Sequence, residues 1–197
     1  MPDSQTIALY DARAADYAAR LGAIPEENAA FLRFAAALPP GRVLDLGCGP
    51  GTWSAAFLAR GLTVDAWDAS QGMVDAARAQ GVRARVATFD DLKSANAYAG
   101  IWANFSLVHA QRAALPRHLG AIARALQPAG VLHLGMKTGT GAARDSLGRL
   151  YTYVTEAELQ TLVTGAGLSV LQSETGESPG FDGTVSPWVT LLARRDA

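Results

Sequence analysis

The sequence predicts an α/β domain built on a mostly parallel sheet with helices on both faces. Three observations predict it. Short apolar runs alternate with amphipathic helical segments from residue 42 onward, the pattern of βαβ units. The first such run ends in a turn with three glycines, where doubly wound sheets hold nucleotides. The 197 residues are 49% apolar and only 18% charged, against a usual charged share of about 25%, so one substantial core forms without staples.

The elements follow in order. Ile7, Tyr10, Ala14, Tyr17 and Leu21 recur at helical spacing, and Gly22 closes that run. A second helix is expected from Pro25-Glu26-Glu27, with acids in its first turn, to Leu38 before Pro39-Pro40-Gly41. Strands are expected at 42–46, 62–67, 83–88, 100–105, 130–136, 168–174 and 187–193. Helices are expected at 52–60, 72–80, 115–126 and 156–166. The Gly-rich stretch from Thr138 to Gly148 reads as the one long open connection, and such connections tend to be functional.

Composition also excludes classes. Lys and Arg total 17 against 18 Asp and Glu, a net charge of −1 without blocks of like charge. A nucleic-acid partner is therefore not expected, since holding a polyanion takes clustered cations. The longest stretch near the middle without formal charge, Ser94 to Gln111, is interrupted by Asn96, Gly100, Asn104, Ser106 and His109. No membrane association is expected. Met1-Pro2-Asp3-Ser4 begins unlike a signal peptide, and the lone Cys48 has no internal disulfide partner. A cytoplasmic protein is the expectation. No His, Cys and carboxylate set has metal-ligand spacing, so no metal is expected.

The most informative stretch is Val43-Leu44-Asp45-Leu46-Gly47-Cys48-Gly49-Pro50-Gly51-Thr52. Glycine allows the tight turn and lets backbone N–H groups approach a ligand beside the following helix N-terminus. Asp68 closes the next strand about 20 residues after Gly47, the place from which a carboxylate accepts bonds from ribose hydroxyls. A solvated loop acid or a helix N-terminal charge is the other reading of Asp68.

Together these residues resemble the class I S-adenosylmethionine-dependent methyltransferases. Leu44 to Gly51 is similar to that family's first motif, Asp68 to its ribose acid, and Thr88-Phe89-Asp90-Asp91 to its adenine-contacting turn. A narrower resemblance, to a bacterial subgroup of small single-domain methyltransferases, lies in Ile101 to His109 and in Lys137-Thr138-Gly139-Thr140-Gly141. The resemblance implies a doubly wound, Rossmann-like sheet of seven strands over residues 41–197, with a C-terminal antiparallel strand. Residues 1–40 are expected to form a helical lid or cap on this single domain.

The resemblance also implies roles. S-adenosyl-L-methionine would be the cofactor and S-adenosyl-L-homocysteine the product. Gly47, Cys48, Gly49 and Gly51 would pass the methionine half, with Asp45 and the Asn104 backbone near the ammonium and Asp68 on the ribose. Ala69, Met73 and Phe89 would flank the adenine, with Asp90 at its amino edge, although Met73 also suits the core. Cys48 reads as a packing residue more than a nucleophile. Tyr10 and Tyr17 would cover the sulfonium from the first helix, unless that helix simply closes one face of the sheet.

Candidate catalytic residues are His109, Tyr17 and Lys137. His109 follows the fourth strand and has the ordinary pKa of a base near neutrality, but packing against a helix also explains it. Lys137 at a strand end either orients an anionic substrate or is solvated. Arg144 and Arg149 either clamp an anion or form a structural network with Asp145.

Asn104-Phe105-Ser106-Leu107 lacks the Pro-Pro-aromatic tetrad of the family's amino-group methyltransferases for adenine, cytosine and glutamine. No Pro-Cys follows the fourth strand either, which excludes covalent cytosine chemistry. A small-molecule acceptor is the expectation. Two rivals are a cofactor-binding sensor or partner subunit without catalysis, and an NAD-dependent oxidoreductase.

Overall fold

The computed structural model describes residues 2–21 and 27–196. Helix α1 (Ser4–Leu21) and helix α2 (Ala29–Ala37) precede the sheet. The expected start of the second helix at Pro25-Glu26 and the expected stop at Gly22 lie outside the described residues. Within them α2 opens at Ala29, because the Asn28 side chain accepts the Phe31 N–H at 3.0 Å and caps the first turn.

Alternation follows as expected: β1 (Val43–Leu46), α3 (Thr52–Ala59), β2 (Val64–Asp68), α4 (Gln71–Ala79), β3 (Ala84–Val86), β4 (Tyr98–Asn104), α5 (Leu115–Ala125) and β5 (Leu126–Thr138). After them come β6 (Ala142–Arg144), β7 (Leu150–Val154), α6 (Glu156–Gly165), β8 (Leu168–Pro179) and β9 (Val185–Arg195). The described strands number nine, not seven. The two unexpected ones, β6 and β7, form an antiparallel hairpin in and just beyond the stretch read as an open connection. Gly141 (φ 75°) and Gly148 (φ 90°) flank β6 in left-handed turns, so the glycines bend a hairpin and do not loosen a loop.

The strand order is β3-β2-β1-β4-β5, parallel throughout, with β9 antiparallel on the far edge of β5 and β8 antiparallel on β9. The order reverses between β1 and β4, so a crevice opens at the carboxyl ends of those strands. β4 pairs with β5 as far as Gly135, and β7 takes over the pairing at Lys137 and Thr138. The hairpin therefore extends the sheet past the end of β4.

The core lies on both faces of the sheet. Leu44, Ile101, Leu119, Ile122, Leu132 and Val163 belong to one cluster. Phe31, Phe34, Phe57 and Trp102 form an aromatic one under α2 and α3. α2 sits close because Gly100 in β4 carries no side chain; a Cβ there would come within 2.3 Å of Leu38. The turn Gln127-Pro128-Ala129-Gly130 is absorbed into β5, and Ala129 is held at φ 61° where glycine would be unstrained.

Candidate active site

The glycine turn is built by backbone pairing. Gly47 and Cys48 donate their N–H groups to the Trp67 carbonyl at 2.8 and 2.9 Å, and Gly49 donates to Asp68 Oδ2 at 2.8 Å. The three glycines have different reasons to be there. A Cβ on Gly47 would fall 2.3 Å from Ser106 Cβ, and one on Gly51 would fall 2.8 Å from Ala77 Cβ, so these two make room for protein. On Gly49 (φ 54°) a Cβ would meet only Tyr17, at 3.9 Å. Gly49 borders open space.

That space is a cleft of about 970 Å³, its open mouth included. It brings together many of the residues expected from sequence. Gly47, Gly49, Asp68, Ala69, Met73 and Phe89 line it. So do Asp90, Asn104, His109, Tyr10 and Tyr17.

Asp68 sits between two elements. Its Oδ2 accepts from Gly49 and its Oδ1 from the Ser70 N–H at 2.9 Å, at the cap of α4. Burial pushes its pKa up, while those backbone bonds hold it down. Asp90 is the opposite case: the Arg117 guanidinium beside it lowers its pKa. Phe89 meets His118 edge-on at 5.4 Å, and Met73 is buried at the start of α4, in the cleft wall and the core at once.

Four expected residues do not line the cleft: Asp45, Cys48, Gly51 and Lys137. Asp45 is 2% exposed, accepts from Ser54 Oγ at 2.6 Å and is raised to about 7 by burial. Cys48 packs among Ala66, Val74 and Ala77, and burial pushes its thiol up, which makes it inert. Lys137 is 9% exposed, lies 5.7 Å from the Phe105 ring centre, and burial lowers its pKa.

His109 has both ring nitrogens engaged. The Leu150 carbonyl, 2.6 Å from Nδ1, only accepts, so Nδ1 carries the proton and Nε2 accepts from the Tyr10 hydroxyl at 2.8 Å. Burial lowers the imidazole pKa to about 4, well below the neutral-range value expected from sequence. Arg149 donates to the same Tyr10 oxygen at 3.0 Å.

α1 is fastened at several points. Asp3 pairs with Arg144 at 2.7 Å, and Thr6 Oγ1 accepts from the Leu150 N–H at 2.9 Å. Asp11 accepts from Ser70 Oγ at 2.6 Å and from the Gly72 N–H at 3.0 Å. Beyond a break in helical geometry at Arg13, Tyr17 packs on Phe181 at 5.0 Å and Arg20 donates to the Gly180 and Phe181 carbonyls. The arginines of the hairpin are thus already paired. Arg149, 2% exposed, bonds Asp145 at 2.6 Å, and Arg144 reaches Asp3, not Asp145.

Sequence reasoning missed Ser106, which donates to the Leu46 carbonyl at 2.6 Å and backs the glycine turn. It also missed Thr6, Ile7 and His118 in the cleft wall. Nothing local marks Thr6, Ile7 and His118, which arrive from elements distant in sequence from the glycine turn, and Ser106 is marked only by following β4. Phe105 stands at φ 54° beside the cleft, a strained posture for a bulky residue.

The family model for a methyltransferase domain matches residues 43–130, the stretch from β1 into β5 that carries the glycine turn, Asp68 and the Phe89-Asp90 turn. Over these residues the chain is similar to a methyltransferase domain. A 54-residue stretch is 50% identical to trans-aconitate 2-methyltransferase of Mycolicibacterium gilvum; it covers 26% of this chain and about a fifth (21%) of that enzyme. The fold is similar to Burkholderia thailandensis 1,6-didemethyltoxoflavin-N1-methyltransferase, solved with its substrate and S-adenosylhomocysteine. That match has TM-score 0.77 and 23% identity over 98% of this chain and 88% of the other. A Methanosarcina mazei SAM-dependent methyltransferase gives TM-score 0.72 at 18% identity, over 82% and 96% of the two chains. Among the described residues of the domain no helix is long and apolar enough to cross a membrane, and no group of three or more His, Cys, Asp or Glu is placed to hold a metal ion.

Proposed function

We propose that the protein transfers the methyl group of S-adenosylmethionine to a small molecule by direct displacement. One observation carries this reading: the Asp68 carboxylate stands in the cleft wall, oriented by Gly49 and Ser70 beside a glycine whose missing side chain opens the site. The residues fit the cofactor. Asp68 would take the ribose hydroxyls, Ala69, Met73 and Phe89 the adenine, Asp90 its amino edge, and the Gly47–Gly49 turn with the Asn104 backbone the methionine end.

S-adenosylmethionine supplies a methyl group on a sulfonium; a C–S bond breaks as the bond to the acceptor forms, and the electron pair stays on sulfur. The chain's part is positioning and exclusion of water. Tyr10 and Tyr17, their rings 5.5 Å apart and edge-on, cover the cleft from α1, the proposed lid. His109 holds the Tyr10 hydroxyl from one side and Arg149 from the other, so these two act as positioning residues. Asp45, Cys48, Gly51 and Lys137 take no part in this scheme, because they lie off the cleft wall. The net charge of −1 and the absence of a basic run in the sequence favour a small acceptor over a polyanion.

The test uses labelled cofactor and a metabolite extract, with calorimetry against S-adenosylhomocysteine and NAD in parallel. Label in a new small product is the expected result. Label confined to protein or RNA refutes the acceptor class. Binding of S-adenosylhomocysteine without any transfer favours a sensor, and stabilisation by NAD alone refutes the cofactor.

A further inference from the structure

A second cavity, about 700 Å³ with its open mouth included, adjoins the cleft. Asn104 and Phe105 line both, so the two spaces share one wall at the end of β4. Three of the chain's four tryptophans line the second cavity: Trp53 from α3, Trp102 from β4 and Trp188 from β9. Phe105 and His133 complete the aromatic wall, and Glu174 brings a carboxylate already paired with Arg33.

This aromatic wall is fixed in place. Trp102 is fully buried, stacks on His133 at 3.7 Å and 15°, and lies 4.8 Å from Trp53. The Trp188 ring lies over Gly176, where a Cβ would come within 2.4 Å of it, and it meets Phe105 edge-on. Trp53 and Trp188 are only half-buried.

Polar capacity is left over. His133 Nε2 faces Asn104 Oδ1 at 2.9 Å; the amide oxygen only accepts, so Nε2 carries the proton and Nδ1 keeps a lone pair with no protein donor among the described residues. The Trp102 indole N–H has no partner either. Rigid aromatic faces with a few unpaired polar atoms select flat rings, which stack on them offset or edge-on.

We propose that this second cavity receives the flat aromatic or heteroaromatic ring of the methyl acceptor. The proposal rests on the methyl-transfer reading, with the shared Asn104–Phe105 wall bringing the ring next to the methionine end of the cleft. An aliphatic polyanion is poorly served here: among the described residues that line the cavity Glu174 is the only charged side chain, and it is paired with Arg33.

Quinoline is a suitable probe, with citrate as the aliphatic control, read by tryptophan fluorescence of the whole protein. Saturable quenching by quinoline and none by citrate is expected. Trp188→Ala and Trp53→Ala should each weaken quinoline at least tenfold, and Trp188→Phe should restore most of the affinity. S-adenosylhomocysteine affinity by calorimetry should stay unchanged in all three, which also reports that they fold. The proposal is overturned if quinoline does not saturate, binds the alanine variants equally well, or is displaced by S-adenosylhomocysteine. Failure of the native protein to bind S-adenosylhomocysteine is a separate readout; it sinks the methyl-transfer reading whatever quinoline does.

Discussion

Replacing Asp68 by alanine separates a ligand-binding acid from a strut. Both carboxylate oxygens already accept backbone N–H groups, from Gly49 and Ser70, so the side chain ties the glycine turn to the cap of α4. A strut alone predicts a loss of stability and little else. Leaving two backbone donors unpaired costs about 1–3 kcal/mol each when water cannot reach them. The half-buried position of Asp68 puts the effect at the low end. Binding the ribose adds a second, independent loss. A charge-assisted hydrogen bond contributes about 1.5–3 kcal/mol, so S-adenosylhomocysteine should bind roughly 10- to 150-fold more weakly. Calorimetry measures the affinity and a thermal melt of the apoprotein measures the stability. Asp68→Asn keeps the volume, loses the charge and sets an amide N–H against one of the two backbone donors; it should fall between native and alanine in affinity. A variant that melts lower yet binds S-adenosylhomocysteine as tightly as the native protein refutes the ribose role and leaves Asp68 as a strut.

Four further outcomes are expected. Gly49→Ala should lose about 1 kcal/mol of stability from its left-handed backbone but weaken the cofactor much more. Gly47→Ala should destabilise the apoprotein severely through its clash with Ser106; melts and calorimetry on the pair distinguish the two glycines. Asp45 titrates near 3.8 when unfolded and near 7 when folded. The folded state therefore holds its proton more tightly, and stability falls as pH rises from about 4 to about 7, by up to about 4 kcal/mol. Asp45→Asn should raise the Tm at pH 8 and change it little at pH 4; equal shifts at both would refute the assignment. His109 runs the other way, from 6.5 unfolded to about 4 folded, so it costs stability as pH falls through that window. His109→Ala should flatten that acid-side loss and lower kcat with little change in S-adenosylhomocysteine affinity, whereas unchanged kcat would confine it to structure. Ala129→Gly should stabilise by about 1 kcal/mol by relieving φ 61° in β5, measured by denaturant midpoint.

Much of the site was legible in the sequence because its parts are short and local. Gly47, Gly49 and Asp68 sit at the ends of two neighbouring parallel strands, and strand ends are what an alternating pattern marks. The order of helices and strands was legible for the same reason: period and punctuation are properties of neighbouring residues. The hairpin β6–β7 was not, because glycines that turn a chain and glycines that loosen it look alike until their φ angles are known.

By itself, then, the sequence determined a mostly parallel α/β sheet with a glycine turn and an acid at its carboxyl edge. Which residues face the cleft was decided only in three dimensions. Asp45 and Gly51 look like site residues along the chain, yet one is sealed against Ser54 and the other makes room for Ala77. His109 looks like a free base, yet Tyr10 and Leu150, 99 and 41 residues away, occupy both its nitrogens. Burial and hydrogen bonding between distant segments set a side chain's direction and pKa, and neither is written in the spacing of neighbours.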